Sequence, residues 1–481
     1  MEEPRLAYDD FSLFPDHGSP VPLSRQLVQR LRDAIRTGAL AGGSRLLPTR
    51  EFASRLGVSR NTVVAAVDQL IAEGYLVARV GSGTFVARGI GTVASPRAVP
   101  PLDVPPAARK YLDIAELMPD PTGPALLPFG VGVPDVTAFP REAWDRFARR
   151  RRYDPRRFAY GEPSGSKHLR TVLADHLRQF RGLNAGADQI VIVEGAQAAL
   201  ALIASVMLEP GDPVLMEDPC YGLARFIFEA RGAAVVPVAV DADGMRAEDA
   251  PPARLTVVTP SHQYPLGGAM TPEQRSALLG WARRHDAYVV EDDYDGEFHF
   301  GGPPLPALQN GDADGRVIYV GTFSKVLAPG LRLGYIVAPR HLAPAFAAAR
   351  RVSSLGGDPH TQRILGDFIA EGYLSRHVRR MTGEYRRRAE LLSSLFAPMH
   401  DRLRVGPVTG GIHLTVIGAE DLDDLGIARF ARAHGVVLNP LSADCIARTD
   451  LRGFALGFGS APCDVIPDAF ERFRGIFDAA T

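Results

Sequence analysis

Lys325 is the residue best placed for covalent chemistry. It lies in GTFSKVLAPGLRLGY, a pattern typical of a strand end, a loop with a lysine, and a second strand. About thirty residues upstream, the apolar run 287–290 ends in Glu291, Asp292, Asp293 and Tyr294. A lysine amine forms an imine with an aldehyde cofactor, and a carboxylate keeps the ring nitrogen of such a cofactor protonated. The spacing therefore predicts a site for pyridoxal 5'-phosphate.

The rest of that site can be assigned group by group. Lys325 supplies the amine and Asp292 the partner of the ring nitrogen. Tyr294 emerges on the same side of an extended chain as Asp292 and is expected to bond the phenolic oxygen. Tyr221, just past a strand, offers a ring for stacking. A helix start, hydroxyls and a fixed cation suit the phosphate; the candidates are Gly195, Ala196, Gln197, Thr322, Ser324 and Arg332.

The elements that position these residues alternate between strands and helices after residue 128. Seven short apolar runs predict strands at 190–194, 213–217, 234–238, 255–259, 288–291, 317–321 and 333–338. Helical patterns lie between them, such as 271–285, so we expect a mostly parallel sheet with helices on both faces. One long helix over 361–395 and a small α+β part are expected to follow. The candidate residues lie at strand carboxyl ends, where such sheets bind ligands.

The N-terminal residues 20–88 predict a different domain. A helix over 24–37 is followed by two short helices joined through Gly57, with Thr49 and Ser59 as caps. Two alternating runs around Gly81, Ser82 and Gly83 predict a hairpin, so the segment is interpreted as a winged helix-turn-helix. The residues expected to meet DNA phosphates or base edges are Thr49, Arg50, Ser59, Arg60, Asn61, Thr62, Ser82 and Gly83.

Composition bounds the remaining possibilities. Residues 89–127 are rich in Pro, Ala and Gly without sustained periodicity, and are interpreted as a linker between the head and a domain spanning 128–481. The net charge is −1, so any DNA contact depends on a local basic surface. Three widely spaced cysteines and no CxxC pair argue against disulfides and against a zinc site, and no metal is expected. Without a secretion pattern or an apolar span, a cytoplasmic protein is expected.

The chain also resembles known families. RLLPTREFASRLGVSRNTVVAAVDQLIAEGYL and GSGTFV resemble GntR-type winged-helix regulators, and the region after residue 128 is similar to fold-type-I aminotransferases. Further matching pieces are YGEPSGSKHLR, TPSHQYPLG and EDDYDGEF. Both domains together resemble the MocR-type subfamily. That resemblance implies that Tyr160 reaches the phosphate of a partner subunit and that His262, with Gln263 and Tyr264, lies near the cofactor ring.

Two positions depart from the pattern of the resembling proteins. Aminotransferases hold the substrate α-carboxylate with an arginine near the C-terminus, and the position assigned to it here is Ala455. The GABA-responsive member of the subfamily carries an effector-binding arginine two residues after the stacking tyrosine, where this chain has Leu223. Both departures weaken the case for an ordinary transaminase and for GABA as the effector.

Three hypotheses follow. The first is a DNA-binding transcriptional regulator in which pyridoxal phosphate, or a small amine that exchanges with Lys325, controls binding to a double-stranded operator. It would act as a homodimer on paired half-sites, and the linker is long enough for the subunits to exchange heads. The second is an active aminotransferase with a fused DNA-binding head. The third is a DNA-binding protein whose large domain only dimerises.

Overall fold

The chain forms two compact units, Met1–Pro105 and Pro106–Thr481. A computed structural model describes residues 15–16, 18–90, 103–117, 129–302 and 305–481. Within these residues no helix combines the length and the apolar character needed to cross a membrane.

The first unit is a winged helix-turn-helix. Its elements are α1 (Leu23–Arg36), α2 (Thr49–Leu56), α3 (Arg60–Ala72), β1 (Leu76–Arg79) and β2 (Gly83–Val86). Leu27, Phe52 and Val63, one from each helix, are buried together in its core. Gly57 ends α2 at φ 64°, a left-handed conformation that glycine adopts readily, and so allows the sharp turn into α3. The strands β1 and β2 pair antiparallel as the predicted wing.

The second unit is an α/β structure with helices around a central sheet. Its elements begin with α4 (Pro106–Leu117), α5 (Arg141–Arg151), α6 (Lys167–Arg181), β3 (Ile190–Val193), α7 (Ala196–Met207), β4 (Pro213–Asp218), α8 (Gly222–Ala230), β5 (Ala234–Asp241), β6 (Gly244–Met245), β7 (Leu255–Val258) and α9 (Pro272–Arg284). They continue with β8 (Tyr288–Asp293), β9 (Val317–Thr322), α10 (Phe323–Val326), β10 (Gly334–Val337), α11 (Ala343–Ser354), α12 (Pro359–Ala370) and α13 (Tyr373–Phe396).

The central sheet has the strand order β3-β10-β9-β8-β7-β4-β5-β6. The strands β5, β4, β7, β8 and β9 are parallel, and β10 runs antiparallel between β9 and β3. All seven predicted strands are present, and the prediction of a mostly parallel sheet is confirmed. Because these strands are covered on both faces, nearly every side chain of β3, β4, β7, β8, β9 and β10 is buried.

A smaller antiparallel sheet follows near the C-terminus. Its elements are β11 (Arg404–Val405), β12 (His413–Ile417), α14 (Asp424–Ala433), β13 (Asn439–Pro440), β14 (Gly453–Gly457) and α15 (Ile466–Ala480), in the strand order β11-β12-β14-β13. The Asp218 carboxylate at the end of β4 accepts bonds from the backbone N–H groups of residues 446–448 at 2.8–2.9 Å. This small part is therefore fixed against the carboxyl edge of the large sheet.

The structure corrects three local expectations. The interval interpreted as a linker contains the helix α4 over Pro106–Leu117. The single helix expected over 361–395 is two helices, because Gly372 adopts φ 74° between α12 and α13. Thr49 is the first residue of α2 and not its cap; Pro48 occupies the cap position, and no side chain bonds the free N–H groups there.

Candidate functional site

Lys325 differs from the other lysines of the chain in its surroundings. The sequence has three lysines, and Lys110 and Lys167 are exposed. Lys325 lies in α10 directly after β9 and is half-buried, with its Nζ donating to the carbonyl oxygen of Gly132 at 2.7 Å. Burial lowers its pKa, although the carboxylates of Asp295 and Asp292 oppose that shift. A buried amine with a lowered pKa is the form in which lysine acts as a nucleophile.

Three consecutive carboxylates end β8, and their surroundings differ. Glu291 accepts from the backbone N–H groups of Leu308 and Gln309 at 2.7 and 3.0 Å. Asp293 lies 2.6 Å from the guanidinium of Arg181 and accepts a bond from the hydroxyl of Tyr319. Asp292, between them, points to the other side of the strand, and its buried Oδ1 has no hydrogen-bond partner.

The buried Oδ1 of Asp292 can accept a hydrogen bond that no group of the described chain donates. Burial, together with the neighbouring charge of Asp293, raises the pKa of Asp292 to about 7, while Lys325 opposes the rise. An unbonded acceptor is costly in a buried place, and a protonated ring nitrogen would satisfy it. The residues present at this position therefore fit the pyridine ring of the expected cofactor.

A buried cluster of rings lies beside these carboxylates. The Nδ1 atom of His262 lies 3.0 Å from Oδ1 of Asp295 and 3.0 Å from the hydroxyl of Tyr294. The ring of His413 lies 4.9 Å from the ring of His262, and burial lowers the pKa of His413 to about 4. The structure thus joins Tyr294 and His262, which the sequence placed near the ring for separate reasons.

Tyr221 follows β4 and Gln197 lies in the first turn of α7, and the two side chains contact each other. The space lined by these residues, Asp292 and Lys325 is called the cleft below. The amide of Gln197 donates to the hydroxyl of Tyr221 at 2.9 Å. The ring of Tyr221 meets that of Tyr264 edge to face, with centroids 5.6 Å apart. Burial raises the pKa of Tyr221 to about 12, so its hydroxyl stays neutral. Both rings are fixed by their neighbours, as a stacking surface requires.

The expected phosphate end forms around the first turn of α7. Gly195 precedes this helix at φ 92°, and Ala196 and Gln197 supply its first N–H groups. The guanidinium of Arg332 donates to the carbonyl of Glu194 at 3.0 Å and lies 3.8 Å from where a Cβ of Gly195 would be. Arg332 itself has φ 49°, an uncommon backbone conformation for a non-glycine residue that often marks a functional position.

The two hydroxyl residues just before the lysine lie at the junction of β9 and α10. Thr322 caps α10 by accepting from the N–H of Ser324 at 3.1 Å, and both side chains are buried. The hydroxyl proton of Thr322 remains available for a further acceptor.

Two residues assigned by resemblance lie elsewhere than the ring cluster. Tyr160 is 85% exposed, so it presents its side chain to the outside of this subunit. The amide of Gln263 donates to the carbonyls of Pro219 and Tyr264 at 3.0 and 2.7 Å, and so braces the backbone instead of facing a ligand.

Three acidic or imidazole groups of the cleft were missed by the sequence analysis. They are Asp295, His413 and Asp444. Asp444 is hydrogen-bonded to Tyr264, and burial raises its pKa to about 7. No motif surrounds His413 or Asp444, which reach the cleft from the C-terminal part only because the chain folds back. Asp295 stands three residues after Asp292, and its position in the acidic run was the one pattern that pointed to it.

The head presents its candidate DNA contacts on the start of α3 and on the wing. Ser59 caps α3, accepting from the N–H of Thr62 at 3.1 Å, and their hydroxyls are 2.8 Å apart. Arg60 and Asn61 are exposed on the first turn, and Arg50 is exposed on α2. Ser82 and Gly83 are exposed at the wing tip. Ser59 and Thr62 are thus engaged in capping, which leaves Arg60 and Asn61 as the prominent groups.

The charge of the head is strongly positive. Residues 20–88 contain ten arginines and four acidic residues, a net charge of +6 in a chain whose total is −1. The guanidinium of Arg79 lies over the ring of Phe85 at 4.9 Å, and that of Arg45 lies beside Gly83, both on the wing. A basic surface of this kind is what attracts the phosphates of DNA.

Comparison with known proteins identifies the family. Residues 23–86 match the family described as "Bacterial regulatory proteins, gntR family", and residues 125–452 match "Aminotransferase class I and II". The probable rhizopine catabolism regulatory protein MocR of Rhizobium meliloti is 38% identical over 470 residues, which cover 96% of this chain and 95% of that protein. The chain belongs to the MocR-type subfamily of GntR-family transcriptional regulators.

Other MocR-type relatives and solved aminotransferases extend the comparison. The pyridoxine biosynthesis regulator PdxR of Corynebacterium glutamicum is 32% identical, over 93% of this chain and 94% of that protein. The α-aminoadipate aminotransferase LysN of Thermus thermophilus superposes with a TM-score of 0.71 at 25% identity, covering 78% of this chain and 97% of that one. An archaeal alanine:glyoxylate aminotransferase gives 0.70 at 24% identity, over 79% and 97% of the two chains. The second unit therefore has the fold-type-I aminotransferase fold, and class I and II aminotransferases depend on pyridoxal phosphate.

Proposed function

We propose that this MocR-type regulator binds pyridoxal 5'-phosphate through Lys325, and that the cofactor or an amine exchanging with that lysine controls operator binding by the head. The proposal divides the chain into a DNA-binding domain over 20–88, a connecting segment over 89–127 and an effector domain over 128–481. An effector acts by binding one arrangement of the two domains better than another.

The observation that carries the proposal is the pairing of Asp292 with Lys325. Of the three carboxylates that end β8, Asp292 alone has a buried oxygen without a donor. Asp292 ends β8 opposite Val320 of β9, and Lys325 follows β9 in α10, so the two groups lie at the same edge of the sheet and their charges act on each other. A buried acid and a half-buried amine at that edge match the ring nitrogen and the aldehyde carbon of one planar cofactor.

The remaining residues would orient and anchor the group. The N–H groups that begin α7 and the guanidinium of Arg332 favour a dianion at that end of the cleft. Tyr221 offers the ring face, and Tyr294 with His262 offers hydrogen bonds to the phenolic oxygen. When bound, the cofactor supplies an aldehyde that condenses with a primary amine and releases water.

We further propose that the protein acts as a homodimer in which Tyr160 completes the partner's phosphate site. Tyr160 and Phe158 are exposed, and so are Val352 and Leu355 on a second segment. The two segments adjoin, since a Cβ on Gly161 would lie 3.2 Å from the carbonyl oxygen of Gly356. Adjoining exposed apolar side chains favour a covering partner. The same dimer would present two heads to paired half-sites, with or without exchange of heads.

The site of attachment can be tested by chemical trapping. The purified full-length chain, incubated with pyridoxal phosphate and then reduced with borohydride, is expected to carry the label on one peptide, that of Lys325. Lys110 and Lys167 are exposed and provide the matched comparison within the same chain. The variant Lys325→Ala is expected to lose the absorbance band of the bound cofactor, whereas Lys167→Ala keeps it.

Three outcomes of that experiment have distinct meanings. Label spread over the exposed lysines, or a band that survives in Lys325→Ala, contradicts the assignment. A colourless protein that still binds its operator favours a large domain that only dimerises. Complete turnover with a common amino donor and keto acid favours the fused aminotransferase.

A further inference from the structure

The charges around Lys325 favour an amine that carries no acid of its own. The charged groups that act on its Nζ are the carboxylates of Asp295 and Asp292 and the guanidinium of Arg332. Arg332 is bonded to the carbonyl of Glu194 beside the start of α7. That cation belongs to the phosphate end of the cleft. Apart from Arg332, the charged groups that act on the Lys325 amine are thus both acids.

The wall beside the lysine is apolar. The Nζ of Lys325 contacts the carbonyl of Gly132, and the preceding residue, Val131, packs on a small cluster formed by Leu441, Leu451 and Ala455. Leu266 and Cys445 pack against the same cluster. Ala455 is fully buried in β14 and is the position at which the resembling enzymes carry an arginine for the α-carboxylate. A methyl group and its apolar neighbours stand there instead.

A third acid, Asp444, adjoins the pair of tyrosine rings. The carboxyl of Asp444 is hydrogen-bonded to Tyr264, whose ring meets that of Tyr221. The guanidinium of Arg225 is close enough to oppose the rise in the pKa of Asp444. Arg225 lies 3.6 Å from the carboxylate of Glu229 and over the ring of Phe226, and its buried Nε has no hydrogen-bond partner among the described residues.

A second arginine, Arg448, acts on the neighbouring residue Cys445. Arg448 holds Asp450 through two hydrogen bonds of 3.0 and 2.8 Å. Beside Lys325, by contrast, a carboxylate on the amino-bearing carbon of a ligand would leave water for the apolar wall at Ala455 and for the neighbourhood of Asp292 and Asp295, which is strongly unfavourable.

We propose that the ligand which exchanges with Lys325 is a primary amine with no carboxylate on its amino-bearing carbon. The inference rests on the proposed function and specifies its effector. The exchange is redox-neutral: the ligand nitrogen takes the place of the Lys325 nitrogen on the cofactor carbon, and Lys325 leaves as a free amine.

The test compares matched ligands on the cofactor-loaded full-length protein. L-alanine is paired with isopropylamine and with L-alaninamide, and L-serine with ethanolamine, so that each pair differs mainly in the carboxylate. The measurement is the change in the absorbance band of the bound cofactor as each ligand is added. Concentrations are expressed as unprotonated amine, which removes the differences in ligand basicity.

The amines are expected to reach half-saturation at concentrations roughly tenfold or more below those of the paired amino acids, because only the acids must desolvate an unpaired anion. Amino acids that bind as tightly as their partners, or more tightly, overturn the inference and leave the proposed function intact. A chain that shows no cofactor band at all overturns both.

A variant gives a second readout. Ala455→Arg restores a cation to the apolar wall and is expected to narrow or reverse the preference between L-alanine and isopropylamine. If the buried arginine prevents folding, the comparison on the wild-type chain still decides the question. A folded variant with cofactor bound and an unchanged preference contradicts the assignment of this wall.

Discussion

At Asp292 a single carboxyl group combines deep burial, a missing donor and a raised pKa. Its neighbours Glu291 and Asp293 have similar burial, but each accepts hydrogen bonds from groups of the chain itself, so they stabilise the fold whether or not a ligand is present. The difference follows from the alternation of a strand, which turns Asp292 away from both. This is the position that the proposed function assigns to the ring nitrogen of the cofactor.

This environment predicts a particular pH dependence of stability. The pKa of Asp292 is raised from 3.8 to about 7, so between those values the folded, cofactor-free protein holds a proton that the unfolded chain has lost. Its contribution makes the free energy of unfolding fall as pH rises from about 4 to about 7, by ~1.4 kcal/mol for each unit of pKa difference. Asp292→Asn is expected to flatten that part of the profile.

Urea unfolding of the wild type and of Asp292→Asn at pH 5 and pH 7.5 measures the effect. Added pyridoxal phosphate is expected to flatten the wild-type profile as well, because a cation at the carboxylate favours its ionised form. Equal slopes for the two cofactor-free proteins would show that this carboxyl is not perturbed by its surroundings.

The local pattern predicted some residues and not others. Lys325, Asp292 and Tyr294 stand in short runs whose spacing is itself informative, and the structure brings them to one edge of the sheet. His413 and Asp444 enter the cleft from more than 85 residues further along the chain. Their roles depend on the contact between the two sheets, which no local pattern encodes.

Among the elements, strands were predicted more accurately than the helical segments around Gly372 and Pro106. Buried parallel strands are continuous apolar runs, so their limits are visible in the sequence. Helical periodicity alone does not show that Gly372 adopts a left-handed conformation and divides α12 from α13. The helix α4 was missed because proline and alanine suit the first turn of a helix as well as a linker.

The helix α3, which is proposed to enter the major groove, gives a prediction for DNA binding. Arg60 is exposed on the first turn of α3, and its replacement by alanine is expected to weaken operator binding by ~1–3 kcal/mol if it contacts a base edge in two places. Arg36→Ala, on the last turn of α1, removes the same charge from the same unit. Fluorescence anisotropy with operator and unrelated DNA should show a specific loss only for Arg60→Ala. Equal losses in the two variants would mean that α3 does not read the groove.

The start of α7 gives a prediction for cofactor affinity. Gly195 at φ 92° and Gly211 at φ 96° both have a positive φ, and alanine at either costs ~1–3 kcal/mol of stability. Only Gly195 lies at the proposed phosphate site, whereas a Cβ on Gly211 would meet no atom within 4 Å. Gly195→Ala is expected to weaken the binding of pyridoxal phosphate in a spectroscopic titration, and Gly211→Ala to leave it unchanged. Equal affinities of the two variants for pyridoxal phosphate would show that the phosphate does not bind at the start of α7.

For the whole molecule, one exposed tyrosine tests whether sites are shared between subunits. Lys325→Ala and Tyr160→Ala are each expected to bind cofactor poorly alone. When the two variants are mixed, unfolded and refolded together, mixed dimers should form. In each mixed dimer one site has both an intact Lys325 and an intact Tyr160 from the partner, so the mixture should recover part of the absorbance band. A mixture that recovers nothing, although mixed dimers are present by mass spectrometry, would show that Tyr160 does not act across the interface.

A suitable control is the exposed aromatic residue Tyr153. Tyr153→Ala is expected to retain the cofactor band by itself. The role of Tyr160 in the partner's site was predicted from resemblance alone, because the sequence of one subunit does not show which of its surfaces is buried in a dimer.

The scarcity of lysine has a further meaning for a protein proposed to bind an aldehyde. Of 54 basic side chains, 51 are arginine, whose guanidinium keeps its charge and does not readily condense with carbonyl groups. The head can therefore bind DNA phosphates through arginine side chains that do not react with the aldehyde of pyridoxal phosphate. With this composition, the arginine-rich head can bind polyanions while the amine of Lys325 reacts with a carbonyl compound, and neither reaction interferes with the other.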